Sequence, residues 1–183
     1  MIAALYVDPN GPYAGRGDID CWDKARNAHN YAGPWPVIAH PECGPWGALR
    51  QFCTLQDRMC GIHAVAHVRK WGGGILEHPS GSTLWRHESM PYPGCLPDAH
   101  GGVSIEVDQC DWGHPARKRT WLYMVGIRDL PPFPAPGTPT AVIKPARNGA
   151  GAVHVPKSQR HITPPPFAEW LIEVVRMNMI QKE

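Results

Sequence analysis

Cys43 stands in the run His40-Pro-Glu-Cys-Gly-Pro-Trp46, directly after the apolar triplet Val37-Ile38-Ala39. A cysteine at the carboxyl end of a buried strand sits where open α/β sheets gather their chemistry. Two further islands follow in the chain, Gly74-Ile-Leu-Glu77-His-Pro79 and Trp112-Gly-His-Pro-Ala-Arg117-Lys-Arg119-Thr-Trp-Leu-Tyr-Met-Val-Gly126. Each reads as a strand edge carrying a reactive or charged side chain, and together they supply a nucleophile, an acid and cations. Each has a plainer alternative: Cys43 as a small buried hydrophobe, and Glu77 as half of a structural ion pair that satisfies a buried carboxyl. A second set of chemistry-bearing residues is Cys60-x2-His63-x3-His67, with Cys53 one stretch earlier. On a helix this spacing puts three ligand types on one face and would suit zinc or iron, with Cys43 as a further donor. The alternative is that the cysteines are core residues and the histidines are partly exposed.

The elements that must position these residues are short. The 183 residues include 21 prolines and 19 glycines, which favours turns over long helices, and 43% are hydrophobic, enough for one core. A single domain over residues 1–183 is expected, with an irregular Pro-rich insertion at about 130–160. Ile2 to Val7 reads as a strand closed by the turn Asp8-Pro-Asn-Gly11; Asp20 to Tyr31 as a short helix; Val37 to Ala39 as a strand; Ala48 to Trp71 as the main helix, stopped by Gly72-Gly73-Gly74. Ile75 to Glu77 is a buried strand, Ser82 to His87 one helical turn, and Val103 to Val107 and Thr120 to Gly126 are strands bracketing the loop from Asp111 to Arg119. A last helix opens at Pro164-Pro165-Pro166, with Phe167, Trp170, Leu171, Val174 and Val175 on one face. This alternation predicts an α/β fold with a mainly parallel sheet flanked by helices.

Charge and cysteine usage narrow the partners. The net charge is only +2, yet between His114 and His161 stand Arg117, Lys118, Arg119, Arg128, Lys144, Arg147, Lys157 and Arg160 against the single acid Asp129. Such a segment is either a polyanion-facing surface or an ordinary solvated loop. Six cysteines without compact spacing favour a reducing, cytoplasmic setting, and no apolar stretch approaches the roughly 20 residues that cross a bilayer.

The order of islands resembles DNA cytosine-5 methyltransferases: a Pro-x-Cys loop (Pro41-Glu42-Cys43), a Glu-Asn-Val strand (Glu77-His78-Pro79), a Gln-x-Arg-x-Arg strand (Arg117-Lys118-Arg119 and the apolar run after it), and a Pro-Pro segment opening the last helix (Pro164 to Glu169). The resemblance implies a Rossmann-like, truncated methyltransferase-like domain, of the compact kind found in phage genomes, acting on DNA. Cys43 would add to C6 of a flipped pyrimidine while Glu77 stabilises the charge at N3, and Arg117 and Arg119 would hold the base carbonyl or a phosphate. His40 or His78 would lower the Cys43 pKa, Trp46 or Trp112 would stack on the base or fill its gap, and Lys118 would contact the nucleic acid. S-Adenosylmethionine would be held by Asp8, Gly11 and Gly15, although Pro9 and Pro12 stand where the family has a Phe-x-Gly-x-Gly loop. Two other classes remain open: a catalytically inactive module binding DNA, a partner methyltransferase or a second copy of itself, and a Cys/His metal enzyme.

Overall fold

Apolar stretches three to seven residues long, separated by proline and glycine, become the strands of one sheet. In a computed structural model, which describes residues 1–54, 58–143, 153–156 and 159–179, these are β1 (Ile2–Leu5), β2 (Ile19–Trp22), β3 (Val37–Ala39), β4 (Gly74–Pro79), β5 (Val103–Asp108) and β6 (Arg119–Val125). The helices are α1 (Met59–Lys70), α2 (Leu84–His87) and α3 (Pro165–Met179). The strand order is β2-β1-β3-β4-β6-β5. β2, β1, β3 and β4 run parallel, whereas β6 is antiparallel to both β4 and β5. The fold is α/β as expected, but the sheet is mixed. The short link between β5 and β6 suits antiparallel pairing, which a parallel crossover of that length does not.

Helices cover both faces, which is why β1 and β3 are apolar throughout. Ile2, Ala4, Ile38, Ile75, Leu122 and Met124 pack with Phe167, Leu171 and Val175 of α3, and Ala3, Leu5, Val37, Ala39, Leu76 and Tyr123 with Val65 and Val68 of α1. Ion pairs of Arg16 with Glu169 and Arg176 with Asp18 fasten α3 to the segment between β1 and β2. The buried Asn178 side chain accepts from the backbone N–H groups of Arg128 and Asp129 at 2.7 and 3.1 Å, tying down the chain that leaves β6. Gly74 enters β4 at φ 134°, and a Cβ there would lie 2.0 Å from the Val37 carbonyl oxygen, so only glycine allows this approach of β4 to β3.

Two expected helices are different. Asp20 to Tyr31 begins as β2, paired with β1, and keeps only a 3-10 turn at Ala28–Asn30. The helix expected over Ala48 to Trp71 starts at Met59; before it lies a 3-10 turn at Arg50–Phe52 that buries none of its residues. Within that expected span Leu55 lies outside the described residues, and Leu49, Phe52 and Met59 are exposed. Apolar spacing alone extended that helix too far toward the N-terminus. Of the Pro-rich stretch, the described residues are held by isolated bridges of Ala116 with Ala141 and of Val142 with His154. Among the described residues no helix is long and apolar enough to cross a membrane.

Candidate active site

The strand order places a reversal between β1 and β3: the chain leaves β1 toward β2 on one side and returns to β3 on the other. The crevice at the carboxyl ends of two such strands is where doubly wound sheets bind ligands. Side chains alternate across a strand, so Ile38 and His40, Ile75 and Glu77, and Lys118, Thr120 and Leu122 share the α3 side of the sheet. The apolar members of these series join the core, and the polar members sit at its edge.

Those polar groups form one hydrogen-bonded chain. The buried Tyr13 hydroxyl donates to His40 Nε2 at 2.8 Å, and His40 Nδ1 donates to Glu77 Oε2 at 3.0 Å. This pairing assigns the imidazole tautomer, since a ring nitrogen that accepts from Tyr13 leaves the proton on the other. Glu77 Oε1 accepts from Gln109 Nε2 at 3.0 Å, and the same amide group donates to Thr120 Oγ1 at 3.0 Å. Gln109 is fully buried and its Oε1 has no protein partner. Cys43 is exposed beside this chain, on the turn in which its carbonyl accepts from the N–H groups of Trp46 and Gly47 at 3.1 and 2.8 Å.

Burial alone would raise the Glu77 pKa. The hydrogen bond from His40 outweighs it, together with the positive charge of Lys118, and the carboxyl is held at about 2. Glu77 is therefore a carboxylate at neutral pH. Tyr13 goes the other way, pushed well above 10 by burial first and by the Glu77 charge second, and stays a phenol. The Cys43 thiol is raised by desolvation and by Glu77, with Lys118 opposing. His40 and His78 therefore do not produce the lowered thiol pKa expected of them. Lys118 is itself lowered, by burial first, while its ammonium donates to the Ile162 carbonyl at 3.1 Å.

His78 faces the opposite side of β4, fully buried near Trp85, and burial drops its pKa from 6.5 to about 4. A depressed pKa adds stability that is complete above 6.5 and is lost as pH falls through 4, because only the unfolded chain takes up the proton. For this group the loss is about 3 kcal/mol. Urea denaturation of His78→Leu between pH 7 and 4 should show a fall in stability shallower than the wild type's by that amount. Equal slopes would mean that His78 is protonated when folded.

The structure separates the other expected residues. Arg117 pairs with Asp108 at 3.1 Å and Arg119 with Glu106 at 2.8 Å through Nε, both with mostly exposed side chains. They stand on the odd positions of β6 and its approach, so alternation points them away from Glu77; Lys118 and Thr120 occupy the facing positions. The double variant Arg117→Ala/Arg119→Ala should lose under about 1 kcal/mol in urea denaturation, as exposed pairs do, and a larger loss would give these arginines a structural role beyond their ion pairs. Of the remaining basic segment, Lys144, Arg147 and Lys157 lie outside the described residues, and Arg160 Nε donates to the Val155 carbonyl at 3.0 Å.

Trp46 and Trp112 are buried, Trp46 in the α1 core and Trp112 against Phe167 and Trp170, so neither indole is presented to a base. Cys60 lies 3.3 Å from His29 Nε2, and the His29 ring stacks on His63 at 4.7 Å, while His67 packs edge-on against Tyr31. Among the described residues no three His, Cys, Asp or Glu side chains converge as a ligand set.

The loop after β1 is where the resemblance implies S-adenosylmethionine. Asp8 Oδ1 accepts from the Asn10 N–H at 2.8 Å and its carbonyl from Gly11 at 2.9 Å, so its acceptors serve its own turn. A Cβ on Gly11 would meet Asp8 backbone at 3.1 Å, whereas Gly15, at φ 71°, has open space around it. The same loop sends Tyr13 into the crevice between β1 and β3 to meet His40.

Reading from residue types missed Tyr13, Gln109 and Thr120. Tyr13 follows a turn with no periodicity to mark it, and Gln109 looks like an ordinary polar residue at a strand end. Only the pairing of β5 with β6 brings Gln109 opposite Lys118. In comparisons with known proteins, no family model matches this chain, and neither a curated protein nor a solved structure matches it.

Proposed function

We propose that the protein acts on a pyrimidine base in DNA by reversible addition of Cys43 to C6, with Glu77 at N3, on a Rossmann-like sheet of the cytosine-5 methyltransferase kind. One observation carries this reading: an exposed cysteine, a buried charged carboxylate and a partly desolvated lysine meet at the carboxyl edge of β3 and β4. Their order along the chain is the order of the family's motifs. The strand order β2-β1-β3-β4 supports it, being one of the doubly wound arrangements.

The chemistry follows from the geometry. A base swung out of the duplex meets Glu77, which gains a proton to donate at N3. His40, hydrogen-bonded to Glu77 and backed by Tyr13, is the route for that proton. Cys43 gives its proton to water as the base arrives and recovers one when the S–C6 bond breaks, and the Lys118 ammonium favours the thiolate. The S–C6 bond forms as the C5=C6 electron pair shifts to C5, and C5 takes a proton from water. Reversal removes the original C5 hydrogen and breaks the S–C6 bond. The net change is exchange of hydrogen at C5, with no oxidant and no methyl donor. In this assignment the family's cationic role passes from Arg117 and Arg119 to Lys118.

DNA bearing tritium at C5 of cytosine should release it to water in the presence of the protein alone. A second reading, a DNA-binding module without catalysis, is favoured by the raised Cys43 pKa; it gives DNA binding with no release. Neither binding nor release would remove both.

A further inference from the structure

α1 packs on the face of the sheet opposite Tyr13, His40 and Glu77, and there a second thiol has an imidazole at hydrogen-bond distance. Cys60 Sγ and His29 Nε2 stand 3.3 Å apart, although 31 positions separate them in the chain. Cys60 lies in the first turn of α1, a helix of 12 residues, and His29 in the 3-10 turn Ala28–Asn30. Two aromatic neighbours hold the His29 ring. It stacks on His63, one turn along α1 from Cys60, with centroids 4.7 Å and planes 15° apart, and it tilts against Tyr6 at 5.8 Å. The backbone is tied as well, since the His29 N–H donates to Asn27 Oδ1 at 3.3 Å.

Cys60, His29 and His63 are each only partly buried, so a small molecule has access to the sulfur. A thiol beside an imidazole in the first turn of a helix is the setting in which cysteines become nucleophiles: the ring takes the proton, and the N–H groups of the turn favour the sulfur anion. The pair supplies a nucleophile and a proton holder. Thiol–disulfide exchange needs those two and an open path. In that reaction the Cys60 thiolate attacks one sulfur of R–S–S–R, a Cys60–S–S–R bond forms as the old S–S bond breaks, and the leaving R–S⁻ takes the proton from His29. The disulfide is itself the oxidant.

We propose that Cys60 is an exchange site for low-molecular-weight disulfides, with His29 as the base that holds its proton and His63 as the ring that positions His29. The site uses no residue of the base-addition reading and stands or falls without it. Its test is the rate at which each cysteine of the full chain forms a mixed disulfide with bis(2-hydroxyethyl) disulfide, located by peptide mass spectrometry, in the folded protein and in urea. Exposure alone ranks Cys95, which is exposed, above Cys60, which is not fully so. Activation reverses that order: folded Cys60 should react about tenfold faster than Cys95, and the two should react alike in urea. His29→Phe, which keeps a ring against His63 and removes the nitrogen, should bring Cys60 down to the rate of Cys95 or below, while Cys43→Ser should leave it unchanged. Cys60→Ser should keep the melting temperature and form no adduct at position 60. Folded Cys60 that reacts no faster than Cys95, or that keeps its rate in folded His29→Phe, makes the contact a structural hydrogen bond and overturns the exchange site. If His29→Phe does not fold, the ratio of folded to urea rates in the wild type decides alone.

Discussion

Glu77→Ala will lose about 3–5 kcal/mol of folding stability, the cost of removing one partner from a buried charged pair, or roughly 10 °C in melting temperature for a chain of this size. The reason lies in what remains. His40 Nδ1 and one N–H of Gln109 Nε2 would keep their protons in a buried site with no acceptor, and Lys118 would lose the carboxylate charge that favours its ammonium. Glu77→Gln, which keeps the shape and removes the charge, should fall between the two and lose C5 exchange as completely as alanine. The pH profile carries its own signature. A carboxyl at about 2 in the folded chain and about 4.5 in the unfolded one adds stability that is complete above 4.5 and is lost as pH falls through 2. Thermal melts at pH 7 and pH 3 therefore separate the contributions: the gap between wild type and Glu77→Gln should narrow on acidification. A gap that stays constant would mean that Glu77 is uncharged in the folded protein.

Much of this was legible in the sequence because hydrophobic strands announce themselves. β1, β3, β4 and β6 coincide with largely apolar runs, β5 with an alternating one, and α3 with one clean amphipathic face after Pro164. Cys43 and Glu77 stand out because one lies in the loop that follows such a run and the other ends one. The errors have a common cause. Residues 20–31 and 48–58 carry apolar side chains at helix-compatible spacing, yet pairing of Ile19–Trp22 with β1 outweighs local preference in the first, and in the second Leu49 and Phe52 face outward. Phase along β6 was the costlier ambiguity. Arg117, Lys118 and Arg119 are adjacent cations, and only the register of Thr120 against Val107 and Pro79 decides that Lys118 faces Glu77. A single residue of phase reversed the assignment, as the two-residue repeat of a strand requires. Tyr13 lay beyond reach for another reason: its partner is 27 positions away, joined by tertiary closure alone.

Cys43→Ser should abolish C5 exchange, by about a thousandfold or more, and leave the melting temperature within a degree or so, because the side chain is exposed and an oxygen replaces a sulfur of similar shape. The contrast with Glu77→Ala is the informative part: one variant removes chemistry without touching the fold, the other removes both. Serine fails because its hydroxyl remains protonated at neutral pH, while the Cys43 thiol, though raised by the partial desolvation of its sulfur and by Glu77, still reaches the thiolate when Lys118 stands opposite. That balance gives a second measurement on the same position. In the free protein Cys43 should react with iodoacetamide more slowly than an ordinary exposed thiol, and Lys118→Met, which removes the opposing charge, should slow it further. If Cys43→Ser keeps full exchange activity, the nucleophile lies elsewhere and the carboxyl edge of β3 is not the reacting centre.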